Sequence, residues 1–399
     1  MGRPHPQVEG SLPSRNPVQQ HPQAAFYRPI YRNRLSAPEA QRGSSGRALS
    51  LGEAITTARC ARGLTQKVLS ARLGITQAAL SRHENDLREP SEERLKEIAS
   101  ALGVTSGLLL RAGRMRGAIA VGAHMRRRAT ARPTVWRRLE AQLNLHRLHA
   151  RRILEHVDLY ADLTIPWFDP FAFDPVTAAR LLRAEWGLPV GPVRDLTGWI
   201  EKTGCLIFES DFGTGRVDGL SQWVDPYPVI MLNSTAPTDR RRLTLAHELG
   251  HLCLHSQGVP DDYESDATSF AAEFLMPAEV IRPQLRNVTT GRLHDLKRYW
   301  GVSMQSLIER GFHLGVIPAK QRTYLYKRFS ALGWRTHEPV SDELPPERAR
   351  LVSDIGQAML ERGLTASEIS AITGYAPESS DNPFLNSGPR LRIVRARPE

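Results

Sequence analysis

Apolar residues recur at helical spacing along most of the chain. Between Leu49 and Gly113 they form five short helical patterns. These patterns are interrupted at Gly63, at Gly74, at Gly103 and at the Glu89-Pro90 step. The spacing predicts a small helical domain over residues 49–113.

From Asp174 onward the pattern becomes mixed, with short apolar strands set among helices. Helices are predicted at Val176–Trp186, Val193–Thr203, Asp239–His255 and Tyr263–Met276, and strands near Cys205–Glu209, Gly219–Val224 and Val229–Asn233. We expect the strand at Val229–Asn233 to be an edge strand that could hold an extended peptide. Helical patterns continue to Gly315, and a last helix pair is predicted between Glu347 and Gly374.

An arginine-rich segment connects the two regions. From Arg111 to Arg152 the chain has twelve arginines and, among acidic residues, only Glu140. Apolar positions at helical spacing lie at Val135, Leu139, Leu143, Leu145 and Leu148. We interpret the segment as a solvated linker helix, in preference to a dedicated nucleic-acid contact.

The charge of the chain indicates its class of partner. A formal net charge of +11 and a pI of about 9.9 favour a polyanion, either nucleic acid or an anionic membrane surface. The sequence has no apolar run of transmembrane length and no apolar signal core, so we expect a soluble, cytoplasmic protein with no membrane partner. Its three cysteines lack the spacing of a disulfide framework or a thiolate zinc site.

A metal-binding pattern lies within the helix predicted at Asp239–His255. His247 and His251 are four residues apart, so they share one helix face and can share one cation. A chance pair on a solvated helix would look the same, but this helix is apolar almost all round, and buried histidines need a partner. Imidazole nitrogens suit Zn²⁺, and Glu248 could then take a proton from an activated water and pass it to the leaving amine.

A catalytic zinc needs a third protein ligand, which we expect on the following helix. That helix offers three carboxylates, Glu264, Asp266 and Glu273. Glu264 is favoured over Glu273 because it shares a face with the small residues Ala267 and Ala271. We expect one zinc ion per chain. His255, one turn beyond His251, is interpreted as a supporting or structural group rather than a ligand.

The N-terminal helices contain a pattern typical of a helix-turn-helix. Thr65 to Gly74 predicts a first helix, and Thr76 to Glu84 predicts the helix that enters the major groove of double-stranded operator DNA. The residues expected to face bases are Gln77, Ala78, Ser81 and Arg82. Gln66 is expected to position a phosphate, and Lys67, Arg72 and Arg88 to add nonspecific affinity. Proteins of this kind bind two half-sites, so we expect a homodimer.

Together these motifs resemble the ImmA/IrrE family of gluzincin metallopeptidases in its long form, with an attached Xre-type helix-turn-helix. The resemblance covers residues 49–374. It rests on the motif at His247–His251 and on matching segments at 178–189, 239–246, 264–277, 299–308 and 332–339. It implies a zinc site of two histidines and a glutamate, here His247, His251 and Glu264. It also implies Glu248 as general base and limited proteolysis of a repressor.

The predicted fold class is therefore multidomain and mainly α. It comprises a five-helix helix-turn-helix bundle, a central α+β zincin-like domain with a small sheet, and a C-terminal helical region. The predicted boundaries are a disordered basic tail at 1–48, the DNA-binding domain at 49–113, the linker at 114–172, the peptidase domain at 173–320, the C-terminal region at 321–375 and a disordered tail at 376–399.

Two functions are compatible with these features. The first is a DNA-binding regulator that cleaves a repressor-type partner, or itself, with zinc. The alternative is a sequence-specific transcription factor whose peptidase-like domain is a sensor with little or no proteolysis. The intact Glu248 favours the first, because a purely structural zinc site has no use for a general base.

Overall fold

The computed structural model describes residues 49–112, 132–224, 226–258 and 260–385. The tail predicted at 1–48, residues 113–131, which include the start of the linker predicted at 114–172, and residues 386–399 lie outside this range. No helix within the described ranges is long and apolar enough to cross a membrane.

The N-terminal domain is a bundle of five short helices. They are α1 Leu51–Ala61, α2 Gln66–Arg72, α3 Gln77–Glu84, α4 Glu92–Ala101 and α5 Ser106–Arg111. Each begins at a serine or threonine whose side chain accepts a backbone N–H of the first turn, at Ser50, Thr65, Thr76, Ser91 and Thr105. Because such caps stop helix extension at a fixed residue, they define the five separate helices that the glycine spacing predicts.

Helix α6, Pro133–Leu154, is not the solvated linker that its arginines suggested. One side of it contributes Ala141, Leu145 and Leu148 to the core of the N-terminal bundle. The other side contributes Leu139 and Leu143 to the core beneath the sheet. The prediction was wrong because the apolar residues cover two sides of the helix, so α6 packs between two domains instead of facing water.

The central domain contains a three-stranded sheet and two long helices that pack against each other, one of which also packs against the sheet. Its elements are α7 Pro175–Glu185, α8 Leu196–Glu201, β1 Leu206–Ser210, β2 Gly219–Val224, β3 Tyr227–Asn233, α9 Thr238–Leu254 and α10 Tyr263–Leu275. The strand order is β1-β3-β2, with β1 parallel and β2 antiparallel to β3. The prediction that β3 is an edge strand was therefore wrong. β3 is central, and β2 is the edge strand that packs against α9.

The start of α9 is held by two buried ionic clusters. Lys297 is fully buried, and its ammonium lies 2.6 Å from the Asp239 carboxylate and 2.8 Å from that of Glu338. One turn further along α9, Arg242 pairs with Glu347 and donates to the Gly301 carbonyl at 2.9 Å. Buried charges are tolerated only when they are fully partnered, so these contacts fix where α9 begins.

The remaining helices complete the domain and then return to the N-terminal bundle. They are α11 Ala278–Gln284, α12 Thr290–Trp300, α13 Met304–His313, α14 Ala319–Ala331, α15 Leu351–Glu361 and α16 Ala366–Thr373. Beyond α16, Tyr375 forms a β-bridge with Val104 and stacks on His149 with ring centroids 3.8 Å apart. Burial lowers the pKa of His149 to about 3, so this ring is neutral at the junction.

The disordered tail predicted at 376–399 was wrong for its first residues, because residues 376–385 pack against the rest of the protein. The Ala376 N–H donates to the Gly103 carbonyl at 3.1 Å, and Phe384 is buried. The segment is polar in composition, but one backbone hydrogen bond and one buried aromatic ring dock it up to residue 385.

Candidate metal centre

His247 and His251 lie one turn apart on α9, and Glu264 approaches them from the first turn of α10. The Nε2 atoms of the two histidines are 3.1 Å apart. The Glu264 carboxylate lies 3.4 Å from Nε2 of His247 and 3.7 Å from Nε2 of His251. Ligand bonds of about 2.0–2.1 Å in a tetrahedron place ligand atoms roughly 3.3 Å apart. Two imidazoles and one carboxylate at these separations fit a catalytic zinc, with one position left for water.

The close approach of α9 and α10 depends on small residues. A Cβ on Gly250 would lie 3.2 Å from the Ala267 backbone and 3.1 Å from the Phe270 ring. Ala267 and Ala271 are both fully buried. With no side chain at position 250, the helices approach closely enough for Glu264 to reach the two histidines.

Glu273, the alternative third ligand, lies elsewhere. Its carboxylate is almost completely buried, pairs with Arg310, and accepts from Arg180 at 2.8 Å. It also accepts the Ala278 N–H at the start of α11 at 3.3 Å. This partner set is that of a structural ion pair, and only Glu264 joins the two histidines in a cluster of possible ligands among the described residues.

Glu248 faces the edge strand of the sheet. The Ser221 hydroxyl on β2 donates to its carboxylate at 2.7 Å. Gly219, also on β2, allows this approach, because a Cβ there would lie 2.4 Å from the Thr244 methyl and 3.2 Å from Glu248 Cγ. The Glu248 carboxylate is thus held between α9 and β2. Nothing in the sequence near Ser221 marks it, because the contact joins residues 27 positions apart.

Each metal-site histidine has a partner on its other ring nitrogen. Nδ1 of His247 lies 3.4 Å from the Thr268 hydroxyl, which itself donates to the Glu264 carbonyl at 2.8 Å. Nδ1 of His251 lies 2.9 Å from Nδ1 of His255. Outer contacts of this kind orient metal ligands. Sequence reasoning missed Thr268 and identified His255 only as a supporting group.

The residues expected to contact DNA lie together on α2 and α3. Gln77, Ala78 and Arg82 are exposed, and Ser81 is half-buried. Gln66 donates one amide hydrogen to Glu84 at 2.7 Å, and its oxygen accepts from Gln77 at 3.5 Å. The side chain of Gln66 therefore orients Gln77, the first residue of the helix expected to read bases.

Two segments of the chain match known family models. Residues 200–311 match the Peptidase M78 family model, described as the IrrE N-terminal-like domain. Residues 55–109 match a helix-turn-helix family model. The first match includes His247, Glu248, His251 and Glu264, and the second includes all of α2 and α3. No curated protein matches the chain.

Proposed function

Because the chain joins a peptidase domain of the IrrE N-terminal-like family to a helix-turn-helix domain, we propose that it is a DNA-binding transcriptional regulator with zinc-dependent endopeptidase activity. Its substrate is a repressor-type protein partner or the chain itself. The observation that carries this proposal is the convergence of His247, His251 and Glu264, with Glu248 directly beside them in sequence and facing a strand edge.

The chemistry follows from the side chains of the site. His247, His251 and Glu264 would hold the zinc, which when bound would supply a Lewis acid that makes water more acidic and polarises the peptide carbonyl. Glu248 acts as general base, accepts the proton from the attacking water, and returns it to the amine nitrogen of the leaving peptide. Ser221 donates to one carboxylate oxygen of Glu248 and so orients the other.

The substrate binds as an extended peptide along β2. Among the described strands β2 pairs only with β3, so the peptide N–H and C=O groups on its other edge are open to a further strand. A strand added at this edge would make backbone hydrogen bonds irrespective of sequence. Because Ser221 lies on β2 and contacts Glu248, such a peptide would pass beside the general base.

The DNA-binding domain recognises a double-stranded operator through α3. Its first turn would enter the major groove with Gln77 and Ala78 on base edges and Arg82 one turn later. We propose that the protein binds as a homodimer to two half-sites, which the geometry of helix-turn-helix docking favours.

A second function is favoured by the junction between the domains. α6 contributes to the cores of both the N-terminal bundle and the sheet, and residues 374–376 hydrogen-bond to residues 103–105. A change in the peptidase domain could then reach the DNA-binding helices without any proteolysis. In this alternative the zinc domain is a sensor for a sequence-specific transcription factor.

Cleavage by wild type and Glu248→Gln separates the two functions. Each protein is co-expressed with candidate repressors, and cleavage of the repressors is followed. Each is also purified, its zinc content is quantified, and it is tested for self-cleavage. Glu378→Gln, the same change at an exposed position, is the control. The peptidase function predicts that wild type and Glu378→Gln cut while Glu248→Gln does not, with about one zinc in each. If none of them cuts and all bind DNA, the sensor function replaces it.

A further inference from the structure

His255 lies at the end of α9 and is almost completely buried. Its ring is enclosed by His251 and by Tyr263 at the start of α10, with ring centroids 5.1 and 5.9 Å away. Its two nitrogens face different groups. Nδ1 lies 2.9 Å from Nδ1 of His251, and Nε2 lies 4.0 Å from the Asp266 carboxylate.

The protonation pattern of these rings follows from the contacts. Nε2 of His251 points to His247 and Glu264, so its lone pair must be free for a metal and the proton of the neutral ring must sit on Nδ1. That N–H donates to His255, whose Nδ1 must therefore be the acceptor. The proton of His255 then sits on Nε2, the nitrogen that faces Asp266.

We propose that His255 is a positioning residue that accepts the Nδ1–H of His251 and holds this ligand in the tautomer and orientation that bind the metal. The carboxylate of Asp266 lies 4.0 Å from Nε2 of His255, beyond hydrogen-bond distance, and its charge favours the proton of His255 on that nitrogen. The inference rests on the proposed zinc site. In the common arrangement a carboxylate or carbonyl contacts the metal-binding histidine directly. Here the imidazole of His255 lies between the ligand His251 and the carboxylate of Asp266.

The two metal-site histidines are consequently held in different ways. His247 faces the hydroxyl of Thr268, an exposed residue of α10. His251 faces the ring of His255, which is almost completely buried. Loss of the partner should therefore affect His251 more than His247.

Zinc affinity, measured by competition with a chromophoric chelator, tests the inference. His255→Leu removes the acceptor and fills similar volume, and we expect zinc binding about 10- to 100-fold weaker than in wild type. His255→Gln offers its amide oxygen to the same N–H, so we expect an affinity close to that of wild type. His337→Leu is the matched control, because His337 is exposed and also faces a carboxylate, that of Asp342 at 3.4 Å, away from the site.

A spectroscopic readout separates positioning from general packing. With Co²⁺ in place of zinc, a misoriented His251 changes the visible absorption of the site, while a merely structural loss lowers the stability of the metal-free protein and leaves that spectrum unchanged. If His255→Leu folds and has the zinc affinity and Co²⁺ spectrum of wild type, the inference is overturned. The same holds if His255→Gln binds zinc as weakly as His255→Leu.

Asp266→Ala keeps the test decisive if His255→Leu does not fold. The inference predicts weaker zinc binding by Asp266→Ala and near wild-type zinc binding by His255→Gln. Wild-type affinity in Asp266→Ala together with weakened affinity in His255→Gln contradicts it. Failure of the proposed peptidase is recognised separately, since a wild-type protein that binds zinc but cuts no protein leaves these affinities intact. A wild-type protein that binds no zinc overturns both.

Discussion

Replacing Lys297 with methionine tests how the fold holds the start of α9. The ammonium of Lys297 is fully buried and contacts Asp239 at 2.6 Å, Glu338 at 2.8 Å and the Ser341 hydroxyl at 2.7 Å. Methionine fills most of the volume but leaves two buried carboxylates without a counter-charge. Removing one partner of a buried ion pair costs about 3–5 kcal/mol. With two carboxylates left, we expect the upper end, about 5 kcal/mol, a large part of the stability of a domain.

The measurement is the free energy of unfolding in urea, followed by circular dichroism on metal-free protein. Lys327→Met, at an exposed position of α14, is the matched control and should change the free energy by less than about 0.5 kcal/mol. Combining Lys297→Met with Asp239→Asn and Glu338→Gln removes the uncompensated charges and should recover much of the loss. If Lys297→Met is as stable as Lys327→Met, the ion cluster does not hold the start of α9.

Three further predictions concern pH, metal and DNA. Burial raises the pKa of Glu201 to about 7. The folded protein thus binds this proton more tightly than the unfolded chain, and the free energy of unfolding should fall as pH rises from about 4.5 to about 7, a slope that Glu201→Gln should reduce. Zinc at 100 times its dissociation constant should stabilise wild type by about 2.7 kcal/mol and Glu264→Ala by much less, as measured by thermal unfolding with and without chelator. Arg82→Ala should cost about 1–3 kcal/mol in operator binding and relax specificity at one base pair. Lys67→Ala should instead weaken binding to all sequences and reduce its salt dependence. If Arg82→Ala weakens binding to operator and random DNA equally, the role of Arg82 is contradicted.

Local patterns in the sequence were sufficient to predict the helices of the N-terminal bundle and the strands and helices around the candidate metal centre, but not α14. Residues that lie four apart on a helix share a face whatever the rest of the fold does, so the pairing of His247 with His251 followed directly. The capping residues and glycines of the N-terminal bundle are equally local. Choosing between Glu264 and Glu273 as the third ligand was harder, because both lie on α10. Only the distant Arg180 and Arg310 reveal that the Glu273 carboxylate is paired elsewhere.

Features that depend on distant contacts could not be predicted in the same way. The order β1-β3-β2 places the last strand in the centre, and no property of the strand itself reveals this. The arginines of α6 suggested solvent, yet its apolar residues lie in two cores. Ser221 and Thr268 contact the site only because β2 and α10 pack against α9. Each of these features depends on tertiary packing, not on a local periodicity.

The most direct test of peptide-bond hydrolysis is cleavage in water enriched in ¹⁸O. Wild-type and Glu248→Gln proteins, each loaded with one zinc, are incubated with a candidate repressor, and the new C-termini are analysed by mass spectrometry. Hydrolysis with Glu248 as general base predicts one ¹⁸O atom in each new carboxylate with wild type and no new termini with Glu248→Gln. Equal numbers of labelled termini with both proteins, or none with either across the candidate repressors, would contradict it.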